Sequence, residues 1–417
     1  MTPLPRRRIL ADLTPLRESA AYRLLFASTA MAHLGRQMTI VAIPYQVYEI
    51  TGSTVLVGAL GLAQVIPLLT LSIVGGGLAD AFDRRRIAIL SQSVLVLSAV
   101  MLTANSLVPS PSVVALFALT ALGAAITAID APTRAALTPM LVARSQLAQS
   151  LALEHILRNL AKAVVPAVAG VLIAAFGLPI TYLLEAVFVA AGIPFLVRMP
   201  SMPPHGGGSR FSYESIKDGF RFLASRRLLK SIFLIDWNAT VFGTPTALFP
   251  AFGTDILGGN AATVGLLYAA PGMGALVAAT LSGWVSQVRR QGSAVIAAIL
   301  VWGGSLLLFG FSSHPVLAVA MLALAGSADL VSAVYRNTIL QLSVPDELRG
   351  RLSSLNLAVV AAGPRMGDLE AGLVAALTSV RVSITTGGAA SIAGAVLIAS
   401  RYPELRRYRA GSLDVND

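Results

Sequence analysis

The sequence predicts an all-α membrane protein with twelve transmembrane helices in two pseudo-symmetric six-helix bundles. Of its 417 residues, 55% are hydrophobic and only 12% are charged, whereas soluble domains carry about 25% charge. Apolar runs of roughly 20 residues, the length that crosses a bilayer core of about 30 Å, recur along the chain. Lys and Arg concentrate in alternate loops between these runs, a pattern typical of the cytoplasmic side of membrane proteins.

Each of the twelve apolar segments is long enough for one crossing. An even number of crossings that starts inside the cell also ends inside, so we predict a multi-pass protein of the cytoplasmic membrane with both termini cytoplasmic. The outer loops then contain a single basic residue, Arg381. The predicted spans are residues 21–49, 54–80, 86–106, 111–133, 148–176, 178–198, 228–254, 262–287, 292–312, 315–338, 350–376 and 380–401.

A hydrophilic segment separates the first six spans from the last six. It contains Pro200, Pro203, Pro204 and three consecutive glycines, which break helices and form a flexible joint. The halves also repeat weakly, with Arg134 and Arg336 ending spans four and ten, and such repeats indicate a transporter with its site between the halves. The predicted units are a cytoplasmic tail (1–20), a first bundle (21–198), a cytoplasmic linker (199–227), a second bundle (228–401) and a cytoplasmic tail (402–417).

Composition and motifs argue against several other functions. The chain has no cysteine and four scattered histidines, so neither a disulfide nor a metal site is predicted. It has no Walker loop, and Gly272-x-Gly274 does not follow a soluble strand, so we predict neither an enzyme nor a nucleotide cofactor. The net charge of +11 lies mostly in loops and does not indicate nucleic acid. The expected partners are a small-molecule substrate, lipid and protons, and a monomer suffices for this architecture.

Ionisable side chains inside the predicted spans are candidates for binding substrate, because each costs roughly 2.5–3.5 kcal/mol on insertion scales. The spacings Glu154–Arg158 and Arg365–Asp368 also allow pairing within one helix, which is the structural alternative. Arg36 has no such partner. We predict a polar cavity that attracts an anionic or polar substrate, and its candidate residues are His33, Arg36, Gln46, Arg158, Lys162 and Arg365.

Three embedded carboxyl groups, those of Glu185, Asp236 and Asp329, are candidates for proton coupling. A carboxyl in a low-dielectric site can bind and release a proton near neutral pH. Asp329 has no basic partner three or four residues away, and Asp236 could pair across the cavity with Arg36. A fixed salt bridge between helices is the alternative for Asp236 and Asp329.

Residues 75–86 carry a family resemblance. With Gly76, Asp80, Arg85 and Arg86 they resemble the pattern Gly-x-x-x-Asp-Arg-x-Gly-x-Arg-Arg between spans two and three of the major facilitator superfamily. Asp83 stands where that pattern has glycine. The predicted cytoplasmic gate motif comprises Gly76, Asp80, Arg84, Arg85, Arg86, Asp130 and Arg134. We expect Asp80, Arg84 and the Asp130–Arg134 pair to form a charge latch; alternatively, the arginines only set the topology.

Residues 42–46, 130–134, 219–223 and 348–351 resemble an exporter branch that includes the enterobactin exporter and macrolide and multidrug efflux proteins. The resemblance implies proton-coupled efflux of a drug, siderophore or other secondary metabolite by alternating access. The glycine-rich motif of the exporters' span five is incomplete here, with Val165 and Ala169 replacing glycines. The alternatives are an importer of a small polar nutrient and a non-transporting membrane sensor on the same fold.

Overall fold

The computed structural model describes residues 12–203 and 221–409, and within these it leaves out the side chains of 72–80, 284–286, 346–351, 353–355, 357 and 358. All regular elements in the described part are helices. The outer parts of both predicted tails (1–11 and 410–417) and most of the predicted linker (204–220) lie outside the described residues. The surroundings of Gly76 and the side chain of Asp80 also lie outside the described part.

The first half contains four separate helices followed by one long bent helix. The long helix, Leu147–Val197, bends at Gly177, whose φ of 80° is one that side-chain-bearing residues rarely adopt. This bend falls between predicted spans five and six, so we label its arms α5 (147–176) and α6 (178–197). The preceding helices are α1 (Ala20–Thr51), α2 (Thr54–Ala81), α3 (Arg84–Leu107) and α4 (Val113–Leu141).

In the second half, predicted span seven is interrupted. Its helix ends at Phe242, and Gly243 and Pro245 precede three short turns, Thr246–Leu248, Phe249–Ala251 and Phe252–Ile256. A glycine and a proline so close together end a helix because proline lacks the backbone N–H. The helices of this half are α7 (Arg227–Phe242), α8 (Ala261–Thr280), α9 (Gln291–Phe311), α10 (Pro315–Ser343), α11 (Asp346–Leu377) and α12 (Val380–Arg401).

The predicted fold class, an all-α membrane protein, is confirmed. Within the described ranges, eight helical runs are long and apolar enough to cross a membrane, and one of them, Arg144–Val197, spans 54 residues and includes both α5 and α6. The predicted spans at α1, α7 and α11 lie in helices outside this set. The total of twelve crossings therefore stays a prediction.

The structure has two main apolar cores, and two helix pairs make the largest contacts between the halves. One core centres on α1, α2, α4, α5 and α6, and the other on α7 to α10 and α12. The first of these cores also includes three residues of the second half, Ala247, Ala261 and Val264. The joining pairs are α2 with α11 and α5 with α8. At Gly170 of α5 an added Cβ would lie 2.7 Å from the Cα of Gly265 on α8, and at Gly58 of α2 it would lie 2.4 Å from the carbonyl oxygen of Asp368. Small residues at these positions let the two halves approach closely.

Candidate functional site

A cavity of about 310 Å³ lies where the halves meet, and we call it the central cavity. This volume is near the lower end of the range for small-molecule sites. Helices α1 to α4 and α6 line it from the first half, while α8, α11 and the turn after α7 line it from the second. Its polar lining residues are Arg36, Thr39, Gln64, Ser98, Thr120, Thr127, Glu185, Thr246, Tyr268, Arg365 and Asp368.

Arg36 of α1 presents its guanidinium to the central cavity. It makes no hydrogen bond or ion pair with the part of the chain that the structure describes. The carboxylates of Asp130 and Glu185 act on it only at longer range. A guanidinium has five N–H donors in a planar fork that matches carboxylate and other oxyanion groups, so Arg36 can bind an anion.

Arg365 and Asp368 of α11 both line the cavity, but the ion pair that their spacing allows does not form. Arg365 donates from Nε to Gln64 Oε1 of α2 at 3.3 Å and from Nη1 to the Ala361 carbonyl at 2.6 Å. Asp368 accepts from Thr246 Oγ1 at 2.5 Å and from the Ala247 backbone N–H at 2.8 Å. Each side chain has its own partners, so Arg365 is not neutralised by Asp368 through a direct contact.

The structure also places further basic predicted residues together near Arg36. Arg36, Arg134, Arg158 and Lys162 all act electrostatically on His33. Arg158 forms the expected ion pair with Glu154, at 3.8 Å. His33, Arg158 and Lys162 lie outside the cavity lining. Arg36, Arg158 and Lys162 surround His33, and we call these three cations the basic surface of the first half.

Gln46 lies elsewhere. It is buried between α1 and α6, where its Oε1 accepts from Tyr182 Oη at 2.8 Å, and it does not line the central cavity. Its partner and its burial in the apolar core indicate a contact that fixes two helices of one half.

Asp236 and Asp329 share one cation, Arg336. The distance from Arg336 Nη2 to Asp236 Oδ1 is 2.8 Å, and that to Asp329 Oδ1 is 3.9 Å. The suggested pairing of Asp236 with Arg36 is therefore wrong. Asp236 and Arg336 are buried, while the Asp329 side chain is half-exposed. None of the three lines the central cavity, and Lys162 of the first half acts electrostatically on Asp329.

Glu185 of α6 lines the cavity together with the hydroxyl groups of Thr39 and Thr120. Thr120 Oγ1 is buried and has no hydrogen-bond partner within the described ranges. Glu185 Oε2 and Thr39 Oγ1 are also buried without a partner at hydrogen-bond geometry, but they lie close enough for the Thr39 hydroxyl to act on the Glu185 carboxylate. Such groups usually cost about 1–3 kcal/mol each. Three such groups thus lie around one cavity.

Among the described side chains of the gate motif, Arg134 has the most contacts. It pairs with Asp130 at 2.7 Å and donates to Gln92 Oε1 of α3 at 2.7 Å and to Thr29 Oγ1 of α1 at 3.2 Å. This buried network fastens α4 to α1 and α3. Arg84 donates to Met140 Sδ of α4 at 2.9 Å.

Arg85 donates to the carbonyls of Leu196, at 3.0 Å, and of Val197. A cation at this place complements the carboxyl end of α6. Arg86 is exposed. The predicted charge latch itself stays a prediction, because it includes Asp80.

Asp83, which departs from the family pattern, joins this loop to the start of the linker. It caps α3 by accepting from the Arg85 N–H at 2.8 Å, and it accepts from Ser201 Oγ at 2.5 Å and from the Met202 N–H at 3.2 Å. Burial alone would raise the pKa of Asp83, but these hydrogen bonds outweigh burial and hold that pKa below its ordinary value of 3.8. We call this arrangement the Asp83 clip.

We expect Asp83→Ala to lower the free energy of unfolding by about 1 kcal/mol, the usual cost of losing a helix cap. A depressed pKa means that the charged clip is fully formed above pH 3.8 and is lost only as the pH falls through the lower, folded-state value. The decrease in the free energy of unfolding caused by Asp83→Ala should therefore be constant between pH 5 and 8, as measured by thermal unfolding of the purified protein. Asp83→Ser, which keeps a cap, is the control; a loss that varies across this pH range contradicts the assignment.

The sequence did not single out several uncharged residues of the cavity. Thr39, Gln64, Thr120 and Thr246 are polar residues within apolar runs, a pattern as common in helix packing as in binding sites. Tyr268 Oη donates to the Thr246 carbonyl at 2.9 Å, and this contact depends on the break after α7. Pro245 and Gly243 marked that break in the sequence, but nothing there indicated which helix would face it.

Sequence comparison finds relatives along nearly the whole chain. A family model described as transmembrane secretion effector matches residues 10–414. The enterobactin exporter EntS of Shigella boydii serotype 4 is 31% identical over 408 residues, which cover 96% of each chain. The enterobactin exporter EntS of an Escherichia coli strain is 30% identical over 405 residues, again 96% of each chain.

Solved structures share the fold at low sequence identity. A POT family transporter in complex with 5-aminolevulinic acid has a TM-score of 0.74 and 11% identity, over 93% of this chain and 97% of that one. A bacterial homologue of the human lysosomal transporter Spinster, inward-facing and unoccupied, has a TM-score of 0.73 and 15% identity, over 93% of this chain and 99% of that one. The family model and the two enterobactin exporters span nearly the whole chain. The chain therefore belongs to the transmembrane secretion effector family of the major facilitator superfamily, a family of multi-pass membrane transporters.

Proposed function

We propose that this protein exports a small anionic metabolite of the siderophore type across the cytoplasmic membrane. The observation that carries the proposal is Arg36 in the lining of the central cavity, whose guanidinium has no hydrogen bond or ion pair with the described residues, together with Arg365 of the other half in the same lining. Siderophores hold iron through acidic oxygen groups, and guanidinium groups bind such oxygens in a bidentate manner. The relatives named enterobactin exporter support both the outward direction and this substrate class.

The basic surface of the first half supports the same substrate class. Its cations Arg158 and Lys162 lie, with Arg36, around His33. Positive charge beside a low-dielectric cavity raises the local concentration of anions and speeds their entry. A lipophilic cation, the usual probe of multidrug pumps, would meet repulsion at this surface.

The proposal includes alternating access driven by protons. In it, the halves rock around the central cavity about the contacts of α2 with α11 and of α5 with α8. The proton site is the cluster of Asp236, Asp329 and Arg336, two carboxylates around one guanidinium, so one proton neutralises these three groups. Lys162 of the first half acts on Asp329 from outside the cluster. Glu185, whose Oε2 has no partner at hydrogen-bond geometry within the described ranges, is the second candidate.

Transport into inverted membrane vesicles tests the proposal. Enterobactin should accumulate in energised vesicles containing the wild-type protein, a protonophore should abolish the accumulation, and a lipophilic cation dye should not accumulate. Asp329→Asn should abolish uphill accumulation while enterobactin exchange across the membrane persists, because exchange needs no proton coupling.

Glu404→Gln is the matched control, since Glu404 pairs with Arg227 at 2.8 Å on the surface, away from the cavity. Its transport should equal that of the wild type. Accumulation of the dye but not of enterobactin would overturn the anionic substrate class. If neither compound moves, the exporter proposal fails, and uptake in the opposite direction should be screened next. Accumulation that persists in Asp329→Asn would remove only Asp329 from the proton site.

A further inference from the structure

We propose that Asp368 is a positioning residue that links the central cavity to the helix break after α7, and so keeps the cavity closed at one end. The inference rests on the proposed transport function, which requires a cavity closed to one side at a time. Three observations carry it: the bonds of Asp368 at the break, the path of the chain beyond the break, and the position of Arg365 beside Asp368.

The break itself lacks a cap from its own segment. The turn Thr246–Leu248 begins after Pro245 without a side-chain cap. Asp368, more than 100 residues later in the sequence, supplies it by accepting from Thr246 Oγ1 at 2.5 Å and from the Ala247 N–H at 2.8 Å. The site is partly buried, and a carboxylate that accepts two donors there forms strong, charge-assisted hydrogen bonds. Asp368 therefore fixes the place where the chain resumes after α7.

Residues 246–257, which we call the outer segment, extend from this break to the other half. Phe249 and Phe252 are buried and pack on Phe309 of α9, with ring centroids 6.0 and 4.3 Å apart. Asp255, near the end of the segment, accepts a hydrogen bond from Tyr48 Oη of α1. The outer segment thus bridges the halves near the Gly52 end of α1, which the predicted topology places outside the cell.

The cavity and the outer segment meet at α11. Arg365, one helical turn before Asp368, donates to Gln64 of the other half. An anion bound by Arg365 would bring negative charge close to the Asp368 carboxylate, and like charges repel strongly at low dielectric. The other titratable groups of the cavity lining are Arg36, Glu185 and Tyr268. Occupation of the cavity would then weaken the hold of Asp368 on Thr246 and release the outer segment.

A single-cysteine reporter tests this inference, since the chain contains no natural cysteine. Ile40 lines the cavity, so Ile40→Cys in intact cells reports access from outside through its rate of reaction with a membrane-impermeant maleimide. Adding Asp368→Asn or Thr246→Val should raise that rate about tenfold or more, the ratio expected from losing a charge-assisted hydrogen bond. Thr378→Val is the matched control, because the Thr378 hydroxyl bonds only to its own helix, at the Val374 carbonyl. It should leave the rate unchanged.

Unchanged labelling in both Asp368→Asn and Thr246→Val overturns the inference, as does a rise of equal size in Thr378→Val. A rise seen only in inverted vesicles also overturns it, because the outer segment would then not close the outer side. If Asp368→Asn fails to reach the membrane, Thr246→Val decides alone. The assay uses no transported compound, so failure of enterobactin efflux together with increased labelling would defeat the proposed substrate and leave this inference standing.

Discussion

We expect Arg36→Gln to lower transport of an anionic substrate by roughly 30- to 700-fold. Truncating one partner of a buried charge pair costs about 2–4 kcal/mol, and each 1.4 kcal/mol is tenfold. Arg36 is the cavity cation with no partner within the described residues, so its donors are free to bind substrate. The measurement is the concentration dependence of uptake into inverted vesicles. The weaker binding of the substrate should raise the Michaelis constant.

Two further variants make this result specific. Arg36→Lys keeps the charge but loses the planar fork, and should recover only part of the affinity. Arg23→Gln is the control on the same helix, since Arg23 is exposed and donates to the Leu16 carbonyl. An unchanged Michaelis constant in Arg36→Gln would remove Arg36 from the binding site.

The second large effect is expected at Arg336. Arg336→Gln would leave the buried Asp236 carboxylate without its cation and beside Asp329, and breaking a buried ion pair on one side costs about 3–5 kcal/mol. The folded yield and the free energy of unfolding in detergent should both fall. Adding Asp236→Asn to this variant should restore much of the loss, because the uncompensated charge is then gone.

Arg227→Gln is the control for this prediction. Arg227 pairs with Glu404 on the surface, and exposed pairs contribute about 0–1 kcal/mol. If Arg336→Gln and Arg227→Gln lower the free energy of unfolding equally, burial of the Asp236–Arg336 pair contributes nothing to stability.

Much of the fold could be predicted from the sequence because the bilayer imposes long apolar runs. Most predicted spans correspond to helices, and Gly177, between two of these spans, is where the bend lies. Pro245 indicates a kink in predicted span seven, but the sequence did not indicate that the helix would end at Phe242 and resume as short turns from Thr246. Hydropathy is insensitive to such a break because the residues on both sides are equally apolar.

The candidate site was harder to predict because its contacts join distant parts of the chain. Spacing within one helix correctly indicated the pairs Glu154–Arg158 and Asp130–Arg134. It failed for Arg365, whose partner Gln64 is 301 residues away. Arg336 was taken for the end of a span by analogy with Arg134, yet it is buried and pairs with another helix. A basic residue near a helix end is equally compatible with both positions until the neighbouring helices are known.

The glycine contact between α5 and α8 changes how exporters of this kind should be sought. The span-five motif looked incomplete because Val165 and Ala169 replace glycines, yet Gly170 still approaches its partner helix closely. The missing space is supplied from the other side by Gly265, where an added Cβ would lie 2.5 Å from the Pro166 carbonyl oxygen. A search that scores the glycines of one helix would pass over chains that divide them between two. The criterion that fits this geometry is a pair of small residues, one in each half, at facing positions.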